Sequence, residues 1–122
     1  MNKTYSLTYD KRLHRPADYR RFFEGSELLR LRHCLVFRIH NALGHFRLGI
    51  TLKSRGSSIE RNLIKRTIRE CVRLHAPSLG SYDYNVVVPK GRKLTREYAQ
   101  QLRFSLENEL KDVLTHRSRD PR

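Results

Sequence analysis

A run of cations at helical spacing is the feature of this sequence that most clearly indicates a binding function. Charge runs are usually solvated helix faces, but such faces mix signs so that side chains one turn apart can pair. Here Glu60 and Glu70 are the acidic interruptions, so like charges crowd together and oppose folding. A phosphate-binding face is therefore the better interpretation. Projection at about 100° per residue places six polar side chains within an arc of about 140°: Arg61, Asn62, Lys65, Arg66, Arg69 and Arg73.

The composition also indicates a polyanionic partner. The 122 residues carry 26 Lys and Arg against 12 Asp and Glu, which gives a formal charge of +14. Most of these cations are arginine, whose guanidinium pairs bidentately with phosphate and stacks on bases. An ordinary small enzyme is excluded as a first interpretation. Because no run approaches the roughly 18 apolar residues of a membrane span and no secretory segment is visible, we expect no membrane partner and a soluble, cytoplasmic protein.

The sequence offers no catalytic or metal-binding constellation of its own. Its six histidines are not spaced with an acidic partner or a nucleophile, and no Gly-rich phosphate loop or paired acidic motif is present. Cys34 and Cys71 lie 37 residues apart without C-x-x-C spacing, so we interpret them as buried free thiols. We predict no catalytic residue, no metal ligand and no cofactor bound by the chain.

Capping signals and periodicity predict three helices. Residues 15–25 carry proline at the first helical position and glycine after the last turn. Ser57 and Glu60 have the spacing of a capping box, so the basic helix begins there and runs to about residue 75. Thr95 caps a final helix. Its apolar stripe consists of Tyr98, Leu102, Leu106, Leu110, Val113 and Leu114.

Strands are predicted between these helices. Residues 34–39 alternate as in a half-buried strand, and the turn signal at 41–44 predicts a hairpin with a returning strand over 45–52. Residues 82–88 give the strongest strand signal and predict a buried strand. The order of elements is typical of an α+β sandwich. We expect one domain over 11–115, a flexible arm over 1–10 and a disordered basic tail over 116–122.

The basic helix carries a motif that resembles a known family. Residues 61–69 read R-N-x-x-K-R-x-x-R, and they lie between the segment R-L-G-I-T at 47–51 and the buried strand. This pattern is similar to that of the bacterial ribonuclease P protein subunit over residues 11–115. The resemblance implies an α-β-β-β-α-β-α sandwich, with helices against a four-stranded sheet and a left-handed crossover. It also implies a protein that assists a catalytic RNA in removing the 5′ leader from precursor tRNA.

The resemblance further implies two binding surfaces. The motif helix contacts the catalytic RNA, which assigns Arg61, Asn62, Lys65, Arg66 and Arg69 to that contact, and Arg73 joins them from the helical projection. A cleft between the first helix and the sheet receives the single-stranded leader, which corresponds here to Tyr19, Phe23, Leu35 and Phe37. We assign the nearby cations Lys53 and Arg55 to the same leader contact. Any magnesium is held by the RNA, and one protein binds each RNA.

The residues themselves suit such a cleft, because single strands bind aromatic platforms beside a positive track. We expect Tyr19, Phe23 and Phe37 to be exposed for this purpose. Adjacent helical residues point about 100° apart, so Phe22 is assigned to the core and Phe23 to the cleft. Residues 53–55 read K-S-R where the family typically has two adjacent lysines, which leaves the contacts of that loop open.

Two other classes of protein are compatible with the composition. A structural RNA-binding protein, such as a ribosomal protein, has a similar size, charge and α+β build, but it shows no dependence on a precursor leader. A DNA-binding regulator is disfavoured because the basic helix precedes a strand, so no helix-turn-helix can be drawn. We therefore expect no DNA partner.

Overall fold

The computed structural model describes residues 7–119, with side chains described up to residue 115. Four strands form one sheet in this range: β1 (Glu27–Arg30), β2 (Leu35–His40), β3 (Arg47–Leu52) and β4 (Tyr82–Val88). Their order is β1-β2-β4-β3. Strand β2 is antiparallel to both β1 and β4, whereas β3 is parallel to β4.

The main helices begin at the caps that the sequence supplies. Proline occupies the first turn of the first helix, and Thr95 accepts a 3.1 Å hydrogen bond from the backbone N–H of Tyr98. The predicted α+β fold is confirmed, while the handedness of the crossover stays a prediction. The helices are α1 (Pro16–Arg20), α2 (Ser58–Arg73), α3 (Ala76–Leu79), α4 (Arg96–Phe104) and α5 (Leu110–Arg119), and 3-10 turns span Tyr9–Lys11 and Arg21–Phe23.

The predicted hairpin between β2 and β3 is wrong, because β4 lies between these strands. Residues 83–88 are all buried, and a strand covered on both faces belongs in the centre of a sheet. Pairing β2 directly with β3 would leave this strand at an edge. Helix α2 instead connects β3 to β4 as the crossover between parallel neighbours.

The hydrophobic core lies between one face of the sheet and the long helices. Leu29, Val36 and Val86 are aligned by cross-strand pairing and share that face with 0% exposure. They belong to one cluster with Ile64 of α2 and Leu102 of α4. The opposite face of the sheet is thereby left to the N-terminal segment and to a binding surface.

The final helix contains a π-helical segment that the sequence analysis missed. The stripe from Tyr98 to Leu114 recurs every four residues, and each such step turns about 40° beyond a full circle in an α-helix. In a regular α-helix, the apolar stripe would rotate away from the core. The wider π turn at Ser105–Glu109 returns it, and Leu102, Leu106 and Leu110 are at most 1% exposed.

The described residues cover part of the predicted arm and tail. Leu7 is buried, and its carbonyl accepts a 3.0 Å hydrogen bond from Arg12 Nε. The backbone of α5 continues to Arg119, so its last turn falls within the predicted tail. The remaining arm and tail residues, 1–6 and 120–122, lie outside the described residues.

Candidate nucleic-acid interface

The capping box that positions the basic helix is present in the structure. The backbone N–H of Ser57 donates to Glu60 Oε1 at 2.8 Å, and the backbone N–H of Glu60 donates to Ser57 Oγ at 3.1 Å. This reciprocal pair fixes the first turn of α2. Ile64, Ile68 and Cys71 are 0% exposed on the core side of the helix. The polar side chains of the motif are consequently directed away from the core.

The motif residues form one cationic surface, which we call the α2 face. Asn62 and Arg66 are exposed, while the other motif residues are half-buried. Among the described side chains, no carboxylate lies within ion-pair distance of a cation of this face. Glu70 instead pairs with Arg103 of α4 at 3.2 Å. The α2 face therefore retains its positive charge for a partner. It comprises Arg61, Asn62, Lys65, Arg66, Arg69 and Arg73.

Two motif cations also reach the N-terminal segment. Lys65 and Arg69 line a cavity of about 220 Å³ together with Arg12, His14 and Tyr19. At this cavity the α2 face adjoins the segment that contains α1. The two surfaces expected from the sequence are thus neighbours in the fold.

The second surface, which we call the cleft, consists of α1 and the sheet face opposite the core on which it packs. Tyr19 lies over Gly49 so closely that a Cβ at that position would stand 2.7 Å from Tyr19 Cε1 and 2.8 Å from a methyl of Leu13. Glycine is therefore required here for the close approach of α1 to β3. Burial raises the pKa of the Tyr19 hydroxyl, although a hydrogen bond with the Ile50 backbone opposes this.

The floor of the cleft is defined by cross-strand pairing. Phe37 pairs with Asn85, which in turn pairs with Gly49, so these three positions form one row under Tyr19. Leu35 and Val87 form the next row on the same face. Side chains of paired residues lie on one side of a sheet, and those two positions apart along a strand share it.

The predicted leader residues differ in exposure. Phe22 is buried and Phe23 is 91% exposed, which confirms the assignment of Phe22 to the core. The expectation that Tyr19 and Phe37 are exposed is wrong, since both are half-buried: Tyr19 lies over the cleft floor and Phe37 is part of it. Leu35 is half-buried as well, whereas Lys53 and Arg55 are exposed in the loop after β3. The structure thus brings Tyr19, Leu35 and Phe37 onto one face.

A buried ion cluster, which the sequence analysis missed, attaches this N-terminal segment to the sheet. The carboxylate of Asp83 has 0% side-chain exposure and accepts hydrogen bonds from Arg47 at 2.7 and 2.8 Å, from Arg21 at 2.8 Å and from Asn41 at 2.9 Å. Burial alone would raise the pKa of Asp83, but these donors outweigh it and hold the pKa below its usual value. An acidic residue inside an apolar strand was the available signal, since buried carboxylates are paired.

Neither cysteine is suited to chemistry. Cys34 and Cys71 are free and buried, as predicted. Burial raises the pKa of the Cys34 thiol to about 12 and that of Cys71 to about 11, so both are protonated at neutral pH. Among the described residues, no group of three or more His, Cys, Asp or Glu side chains could hold a metal ion. No helix in the described range is long and apolar enough to cross a membrane.

The fold and these two surfaces define an RNA-binding α+β protein, with a cationic helix face beside a cleft that contains aromatic side chains. Comparison with known proteins gives the family. The family model described as Ribonuclease P matches residues 7–116. A relative named Ribonuclease P protein component, from Streptococcus pyogenes, is 31% identical over 112 residues, which cover 91% of this chain and 87% of the relative.

Solved structures agree with this match. A mutant RNase P protein from Staphylococcus aureus superposes with a TM-score of 0.70 at 29% identity, covering 84% of this chain and 87% of that one. The RNase P protein from Thermotoga maritima gives a TM-score of 0.68 at 29% identity, covering 83% and 96%. The chain belongs to the ribonuclease P protein family. It is an RNA-binding component of the ribonuclease P enzyme and functions in tRNA 5′ processing.

Proposed function

We propose that this chain contacts the catalytic RNA of ribonuclease P through the α2 face and performs no cleavage itself. The main supporting observation is that the cations of the α2 face have no carboxylate partner among the described residues. Glu70 lies four residues after Arg66 and three before Arg73, at spacings that allow pairing on a helix, and yet it pairs with Arg103 instead. Unpaired cations side by side cost folding stability, and RNA phosphates would compensate for that cost. Asn62 can both donate and accept, so it suits a 2′-hydroxyl or a base edge.

The cleft supplies the second part of the proposal, which is binding of the 5′ leader of precursor tRNA. Phe23 offers a free aromatic surface for stacking, while Tyr19, Leu35 and Phe37 form a fixed apolar wall and floor. The exposed Lys53 and Arg55 provide positive charge for the leader phosphates. Mature tRNA lacks the leader and so loses these contacts.

The same proposal places the chemistry in the RNA. In this proposal the chain binds no cofactor of its own, and magnesium is held by the RNA subunit. We place one protein on each RNA, in the cytoplasm.

Reconstitution tests this function. The purified chain is mixed with a bacterial ribonuclease P RNA, and leader release from labelled precursor tRNA is followed at low magnesium, with the RNA alone as control. We expect the chain to accelerate release, and we expect the gain to disappear when Arg66 and Arg69 are both changed to alanine. The assay is repeated with several bacterial ribonuclease P RNAs. If the chain binds them tightly and in a salt-sensitive way but does not accelerate leader release, it is a purely structural RNA-binding protein.

A further inference from the structure

Asn85 occupies an unusual place for a polar side chain. It lies in the central strand β4, on the row between Phe37 and Gly49, and it is 8% exposed. The residues that follow it in the strand, 86–88, are all valine. A buried amide without partners is costly, so a polar residue here requires an explanation beyond packing.

The amide of Asn85 is only half-satisfied within the described residues. Its Oδ1 accepts a 3.1 Å hydrogen bond from Thr51 Oγ1, and its Nδ2 has no acceptor there. If the amide were flipped, Nδ2 would donate to Thr51 and Oδ1 would be left over, so one amide atom is free in either orientation. Among the described side chains, the fully enclosed polar atoms without a partner are His33 Nδ1 and Ser105 Oγ, so the free atom of Asn85 is not fully enclosed.

The side chains around this free atom indicate which kind of ligand it can bind. Tyr19 lies over Gly49 on one side of Asn85, and Phe37 lies on the other. Aromatic surfaces orient nucleobases by stacking, which turns base edges toward the sheet and leaves the charged backbone toward solvent. The positively charged Lys53 and Arg55 are exposed after β3, where that backbone would lie.

We propose that Asn85, oriented by Thr51, reads the edge of one leader base on the floor of the cleft. This inference rests on the proposed leader-binding function and adds to it a determinant of base preference. Stacking alone tolerates any sequence, whereas a buried hydrogen-bonding group discriminates against bases that leave it unpaired. The ligand is a nucleobase of single-stranded RNA that complements a carboxamide.

The test uses the reconstituted holoenzyme and precursor tRNAs with each leader position randomised, and it measures relative kcat/KM for every base. We expect one position at which bases differ by about tenfold, the effect of one hydrogen bond. Asn85→Val should reduce that spread to within about twofold, because valine removes the amide and suits a buried strand. Thr51→Val, which leaves the amide in place without its orienting partner, should reduce the spread by less.

Phe23→Ala is the matched control, because it should lower kcat/KM for all leaders without changing their ranking. The inference would be overturned if Asn85→Val kept the full difference between bases. It would also be overturned if kcat/KM responded to 2′-deoxy substitution at that leader position but not to the identity of the base. Folding of each variant is checked by circular dichroism. A holoenzyme indifferent to the whole leader would contradict the proposed function, whereas dependence on leader length with no base preference contradicts this inference alone.

Discussion

At the scale of single residues, polar groups in the central strand determine how the cleft is built. Asp83 and Asn85 are two positions apart in β4 and share the face that α1 approaches. Asp83 is fully paired within the protein, whereas Asn85 keeps one amide atom free. A structural role therefore follows for Asp83 and a recognition role for Asn85.

Asp83→Asn should destabilise the protein by about 3 kcal/mol, because it removes the closest carboxylate partner of the largely buried Arg47 and leaves it only the more distant Asp18, at 3.7 Å. Since the folded-state pKa of Asp83 is lowered, its contribution is present above about pH 4 and is lost as the pH falls further. Urea unfolding measured from pH 7 to pH 2 should therefore show a smaller acid loss in Asp83→Asn than in the wild-type protein. Exposed Glu24→Gln serves as control, and equal acid slopes for Asp83→Asn and the wild type would contradict this role.

At the scale of elements, the sequence predicted those features of helices and strands that depend on neighbouring residues. The capping box at Ser57, the cap at Thr95 and the burial of β4 could all be predicted from neighbouring residue types. The strand order was not predicted, because the turn signal at residues 41–44 indicates a reversal of the chain and does not show which strand the returning segment pairs with. The π-helical segment could not be predicted either. An apolar stripe that repeats every four residues does not show where the helix widens until the core position of each leucine is known.

The α2 face gives a prediction for RNA binding by this helix. Arg66→Ala should weaken binding to ribonuclease P RNA and reduce the slope of log K against log salt by about one, the effect of one lost phosphate contact. Arg96→Ala is the matched control, because Arg96 is also an exposed helical arginine but begins α4 outside the α2 face. Filter binding over a series of salt concentrations measures both slopes. Equal decreases in the two variants would show that only net charge matters.

At the scale of the whole molecule, the net charge of +14 and the arrangement of the two surfaces have a common consequence. A chain with this excess of cations repels itself when folded, and any RNA that binds only the folded state stabilises it by mass action. Because the cleft adjoins the α2 face at the cavity of Tyr19, Lys65 and Arg69, one protein can contact two RNA segments at once. Because both contacts are made by one protein, together they bind RNA more tightly than either contact does alone.

This arrangement predicts that leader binding can be removed without loss of assembly. Phe23→Ala should reduce affinity for precursor tRNA by about 1 to 3 kcal/mol, the contribution of one stacked base, and leave mature tRNA binding unchanged. Phe23 is 91% exposed, so its removal costs little packing, and Phe104→Ala removes a phenylalanine that is 52% exposed on α4 as the control. Equilibrium binding of both tRNAs to each holoenzyme measures the difference. Equal losses for precursor and mature tRNA would place Phe23 outside the leader path, whereas a loss confined to the precursor would show that the cleft distinguishes substrate from product.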